Sequence, residues 1–166
     1  YSMSCPAITI YNTTNKFYKT IFFTNIKKYQ NKSYCSEKIL GYALPEFTNN
    51  EERFDNISKL FVDVIAIEKV ESVGIEDYAF AATGRVFHIA ENTGLLKHKI
   101  WKLAGRPVSV YAPAMIKKSA TSKGNADKTL MYKHYFDETN LDLIQELEYN
   151  KSEIDSPIGD IVDSYF

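Results

Sequence analysis

Apolar and polar positions alternate from the start of the chain. "AITIYN" and "FYKTIFFTN" are β-rich runs separated by the polar turn "NTTNK", which predicts a hairpin. A third strand is expected within 27–35, and a loop containing Gly41 and Pro45 comes next. At "TNNE", Thr48 and Glu51 have capping-box spacing. Phe54, Ile57, Leu60, Phe61, Val64 and Ile65 then recur at helical spacing. "VESVGIEDYAF" is a buried-type strand with Glu76 near its C-terminal end. Val86, Ile89, Ala90, Leu96, Ile100 and Leu103 predict a helix over Arg85 to Leu103, and "RPVSVYAP" predicts a short strand closed by Pro113.

The remainder reads as a polar loop, "MIKKSATSKGNADK", a helix near Ala126 to Tyr135 and another over 141–148. The chain ends in a closing helix, with Ser156 as N-cap and Pro157 as its first residue. A hairpin followed by βαβ-type alternation predicts an α/β fold, a mixed sheet flanked by helices. At 166 residues, 45% of them hydrophobic, one globular domain with a real core is expected. No apolar run reaches the roughly 18 residues of a membrane span, and no secretory signal is visible. Cys5 and Cys35 make no disulfide framework, and their expected state is free thiol in an intracellular protein. His88, His98 and His134 lack zinc-type spacing.

Charge changes the picture because its distribution is uneven. The net charge is −1, yet residues 97–134 hold nine Lys/Arg against Asp127 alone, and 135–166 hold nine acids against Lys151. The basic stretch includes Lys117, Lys118, Lys123 and Lys128 around Gly124, ahead of a helix, where lysines and helix N-terminal amides together attract phosphate. In the acidic stretch, Asp160 and Asp163 share a helix face. Glu76 stands at a strand end, where sheets of this type gather functional groups. Three convergent carboxylates would repel one another unless a hard cation such as Mg²⁺ or Mn²⁺ joined them. The plainer readings are a dipole-favoured acid for Asp160, a solvated charge for Asp163 and a strand-end charge for Glu76 beside Asp77. GxGxxG, P-loop and nucleophile-elbow motifs are absent, which removes support for a metabolic α/β enzyme.

Four segments together resemble the RuvC family of Holliday-junction resolvases, within the RNase H-like superfamily, and most closely its phage and viral members. "VGIEDYAFAATGR" with "ENTGLLKHKI" resembles the strand bearing the family's catalytic Glu and its following helix. "PVSVYAPAMIKKSATSKGNADK" resembles the strand and basic loop, and "DSPIGDIVDSYF" the closing helix with paired acids. "YSMSCPAITIYN" resembles the small polar turn that leads from the first catalytic Asp into the second strand. The resemblance implies an RNase H-like five-stranded mixed sheet whose first strand, ending in an Asp, would fall before Tyr1. It also implies metal-dependent hydrolysis of DNA phosphodiesters by symmetric nicking at four-way junctions.

By this resemblance Glu76, Asp160 and Asp163 become the metal ligands, for two Mg²⁺ ions or Mn²⁺ in their place. Lys117 and Lys128 join them as catalytic residues. Lys117, Lys118, Lys123, Lys128, Tyr78 and Phe80 become the DNA contacts. The implied partners are branched DNA and a second copy of the chain, with no membrane. Arg85 to Leu103, with Phe87 and His88 near its start, is the candidate dimer surface. The alternatives are an RNase H-like nuclease for other branched DNA or hybrids, and a non-catalytic DNA-binding module of the same fold.

Overall fold

The structure is a computed structural model that describes residues 2–77 and 86–166. Its residues fall into two compact units, Pro45–Pro113 and Ser2–Leu44 with Ala114–Phe166.

In the second of these, β1 (Ala7–Asn12) and β2 (Phe17–Thr24) form the expected antiparallel hairpin, from Ala7 opposite Phe22 to Asn12 opposite Phe17. The Asn12 side chain accepts from the N–H groups of Thr14 and Asn15, which closes the turn. The sheet continues through β4 (Ile39–Ala43), parallel to β2, to β3 (Lys32–Tyr34), antiparallel to β4. The order β1-β2-β4-β3 makes β2 an interior strand, and that accounts for its unbroken buried run from Thr20 to Thr24.

The expected loop around Gly41 is therefore corrected to a strand. Gly41 is no turn residue: a Cβ there would lie 2.2 Å from the Tyr29 carbonyl oxygen and 2.7 Å from Phe22 Cζ. The glycine lets the backbone of the 3₁₀ turn Lys27–Tyr29 come down onto the sheet. The strand expected within 27–35 divides accordingly into that turn and β3.

A second correction concerns the basic "loop". Its first half is helix α3 (Pro113–Thr121), so Lys117 and Lys118 stand on a helix. Proline is favoured at a first helical position, and Ala, Met and Lys are good helix formers. Thr121 Oγ1 bonds the Lys117 carbonyl at 2.8 Å, and Ser122, at φ 63°, ends the helix in the left-handed region. The true loop holds Lys123 and Gly124. Asp127 then caps α4 (Lys128–Thr139) by accepting from the Leu130 N–H at 2.8 Å.

After the short helix α5 (Leu143–Glu146), the unit closes with α6 (Ile158–Tyr165). Ile158, Ile161 and Val162 are buried in one core with Phe22, Ile39, Met131, Tyr135, Leu143 and Leu147. Each fully buried aliphatic side chain contributes about 1.5–3 kcal/mol. A hydrogen bond between Thr9 Oγ1 and Ser164 Oγ (3.0 Å) ties α6 to β1.

The other unit holds α1 (Asn50–Ile67), then β5 (Val73–Glu76), α2 (Val86–Lys99) continuing as a π-helical segment Ile100–Ala104, and β6 (Val108–Tyr111). Strands β5 and β6 pair in parallel, with α2 in the connection between them. α2 packs on α1, with Leu96 and Ile100 buried and Lys99 Nζ paired to Asp55 Oδ1 at 2.6 Å.

The cap of α1 lies one residue later than its spacing predicted. Asn49, not Thr48, accepts from the Glu52 N–H (2.8 Å), while Thr48 donates to the Glu52 carboxylate from both N–H and Oγ1. Asn49→Ala is expected to cost about 1 kcal/mol, measured as a lower urea midpoint with an unchanged m-value.

The strands among the described residues form a mixed sheet of four in one unit and a parallel pair in the other, flanked by helices, in the expected α/β class. Among the described residues, no helix is long and apolar enough to cross a membrane.

Candidate functional site

The site is built on the first turn of α6. Asp160 sits there, partly buried, while Asp163, one turn on, is exposed. Ser156 stands just before the helix. Its hydroxyl does not accept from a backbone N–H, as the N-cap reading predicted, but donates to the Asp160 carboxylate. Pro157 takes the cap position instead, and α6 begins at Ile158.

Ser2 and Cys5, from the far end of the chain, also hydrogen-bond Asp160 through their side chains. Cys5 is buried. Burial, together with the charge and hydrogen bond of Asp160, pushes its thiol well above the ordinary range. Both cysteines carry free thiols, as expected.

Burial also raises the Asp160 carboxyl above its usual value, although Ser156, Ser2, Lys128 and Cys5 all act to lower it. Desolvation therefore outweighs the compensation those groups provide. A carboxylate left short of positive charge in this way suits a cation, and its oxygen donors suit a hard one such as Mg²⁺ or Mn²⁺. Within neither unit do three His, Cys, Asp or Glu side chains cluster as a metal site among the described residues.

Lys128 reaches this turn from the start of α4. A Cβ on Gly159 would lie 3.4 Å from Lys128 Nζ and 3.6–3.7 Å from its Cδ and Cε, so the lysine stem lies along the side-chain-free face of Gly159. Asp155 Oδ1 lies 3.6 Å from Lys128 Nζ, and Lys151 Nζ approaches Asp155 Oδ2 at 3.1 Å. These three charged residues line an open cleft with Ser152, Glu153 and Ile154.

The other predicted positions stand on other elements. Lys117 is partly exposed on α3, Lys118 is exposed one residue on, and Lys123 is exposed in the loop after it. Glu76 belongs to the other unit, where it ends β5 opposite Tyr111; the Asp77 N–H donates to the Tyr111 carbonyl at 2.8 Å. Tyr78 and Phe80 lie outside the described residues. Sequence reasoning missed Ser2, Cys5 and Asp155. The only signal within reach was Ser156 four residues before Asp160, a spacing that also fits a simple cap.

No protein-family model and no curated protein matches the sequence. Among solved structures, the chain is similar to RuvC from Thermus thermophilus, with TM-score 0.50 and 19% identity over 70% of this chain and 65% of that one. T. thermophilus RuvC in complex with Holliday junction substrate matches with TM-score 0.49 and 18% identity, over 70% of this chain and 66% of that one. The matched region is less than two thirds of the RuvC chain. The mixed sheet with flanking helices is thus a RuvC-like, RNase H-like α/β fold.

Proposed function

We propose that the protein is a metal-dependent endonuclease that hydrolyses DNA phosphodiesters at four-way junctions by symmetric nicking, in the manner of phage-type RuvC resolvases. The observation that carries this reading is the approach of Lys128 to the α6 turn that bears Asp160, on a RuvC-like fold. Such a fold alone is compatible with many chemistries. A partly buried carboxylate with a lysine against the same helix turn is what phosphoryl chemistry requires, a place for cations and a fixed positive charge near the phosphate.

In the hydrolysis, water adds to phosphorus, one ester oxygen leaves as an alcohol, and the water's OH remains on the phosphate. Lys128 offsets the charge that builds on the phosphate oxygens, with Lys117 as its companion. Glu76, Asp160 and Asp163 would hold Mg²⁺, or Mn²⁺ in its place, which supplies water activation and stabilisation of the leaving oxygen. Lys118 and Lys123 extend the backbone contacts, and Tyr78 and Phe80 stack on bases at the junction.

The enzyme works inside the cell as a homodimer, with α2 and its continuation to Leu103 as the self-contact. Phe87 is 75% exposed there, Trp101 69% and Leu103 66%, which supports that choice.

Two sets of variants test the reading. Glu76→Gln is expected to abolish nicking while junction binding in a gel shift stays intact or tightens. Equal loss of both would assign Glu76 to folding. Lys117→Ala and Lys128→Ala are each expected to lower nicking and to reduce the salt slope of junction binding by about 1. An unchanged slope would remove that lysine from the DNA surface.

A further inference from the structure

We infer that Asp155 is a positioning residue for Lys128, an assignment that rests on the nuclease reading above and adds a residue to it. Lys128 is a long, flexible side chain near the surface, and an untethered ammonium would spread over many rotamers. Two neighbours restrict it. Gly159 leaves the turn of α6 open for the stem, and Asp155 Oδ1 faces the ammonium.

Asp155 is itself held from several sides. Its N–H donates to Tyr149 Oη at 2.8 Å, and that hydroxyl donates in turn to the Glu153 carbonyl at 2.9 Å. Its own carbonyl accepts from the Gly159 N–H at 2.9 Å, which locks Asp155 to the start of α6. The Ser156 N–H also hydrogen-bonds the Asp155 carboxylate, Lys151 Nζ lies against Oδ2 and Lys128 Nζ against Oδ1. The aspartate is thereby fixed to the same turn that carries Asp160. Isolated surface ion pairs of this kind add little stability. The consequence of the clamp is direction: it holds one ammonium at the turn that carries Asp160 before substrate arrives, the kind of preorganisation that lowers barriers.

The near-isosteric Asp155→Asn tests this. Single-turnover nicking of a saturated junction is expected to fall about 10- to 100-fold, with junction Kd unchanged or lower and the thermal midpoint unchanged. In a Lys128→Ala background the same substitution should have no further effect. Nicking at the wild-type rate, or losses that multiply in the double variant, would overturn the assignment.

A second readout does not depend on catalysis. With lysines ¹³C-dimethylated, the Lys128 resonance, assigned by its loss in Lys128→Arg, should stand apart from those of exposed lysines and join them in Asp155→Asn. If the protein nicks nothing, the nuclease reading fails and this spectrum alone decides. A Lys128 signal indifferent to Asp155 then rejects the clamp, and a displaced one retains it.

Discussion

Asp160→Asn is expected to reduce junction nicking by about 10³-fold, the equivalent of about 4 kcal/mol of lost transition-state stabilisation, without weakening the fold. The two halves of that expectation have one cause. Burial disfavours the charged carboxylate, and the donors around it do not make up the difference. Asp160 therefore binds its proton more readily in the folded chain than in the unfolded one. Its contribution favours folding at low pH and is lost as pH rises through the raised folded value. At neutral pH without metal, the ionised group opposes folding, so a neutral amide of the same shape should raise the thermal midpoint or leave it unchanged. Ser156 and Cys5 can still donate to the amide oxygen. Mg²⁺ should stabilise the wild type and not the variant. Calorimetry with and without Mg²⁺, alongside single-turnover nicking, checks both. A variant that is less stable in EDTA would make Asp160 a structural carboxylate.

Gly41→Ala carries the largest expected effect on folding. The new methyl would lie 2.2 Å from the Tyr29 carbonyl oxygen and 2.7 Å from the Phe22 ring. Backbone cannot give way there as a surface side chain could. Phe22 and Ile39 are both fully buried around it. Overpacking of this kind costs about 1–3 kcal/mol, and a clash with main chain belongs at the upper end. The thermal midpoint should fall by about 6–12 °C. Gly94→Ala is the control: on α2 its Cβ would meet nothing within 4 Å, so the higher helix propensity of alanine should stabilise the helix by about 1 kcal/mol. Equal, small effects at both glycines would mean that β4 does not pack as described.

The two glycines also mark where sequence reading succeeds and where it stops. The β1–β2 hairpin was legible because its apolar runs and its Asn-rich turn are local. The same holds for α1, whose spacing missed only the cap by one residue. β4 was not legible. The space that demands Gly41 is occupied by Tyr29 and Phe22, which no window around "ILGYA" contains. The lysines of α3 misled differently, since a Lys- and Ser-rich segment reads as loop while Lys is a sound helix former. At the site, Asp160 and Asp163 stood out by their spacing. The cradle of Asp160 did not, because Ser2 and Cys5 arrive from the opposite end of the chain and Asp155 acts through Lys128.

The most direct test of the account incubates the protein with an end-labelled four-way junction and a linear duplex of matched sequence, in Mg²⁺ and in EDTA. The expected result is paired nicks at symmetric positions of the junction, present in Mg²⁺, absent in EDTA and absent from the duplex. Tight junction binding with no cleavage in either condition would contradict it and leave a non-catalytic DNA-binding module.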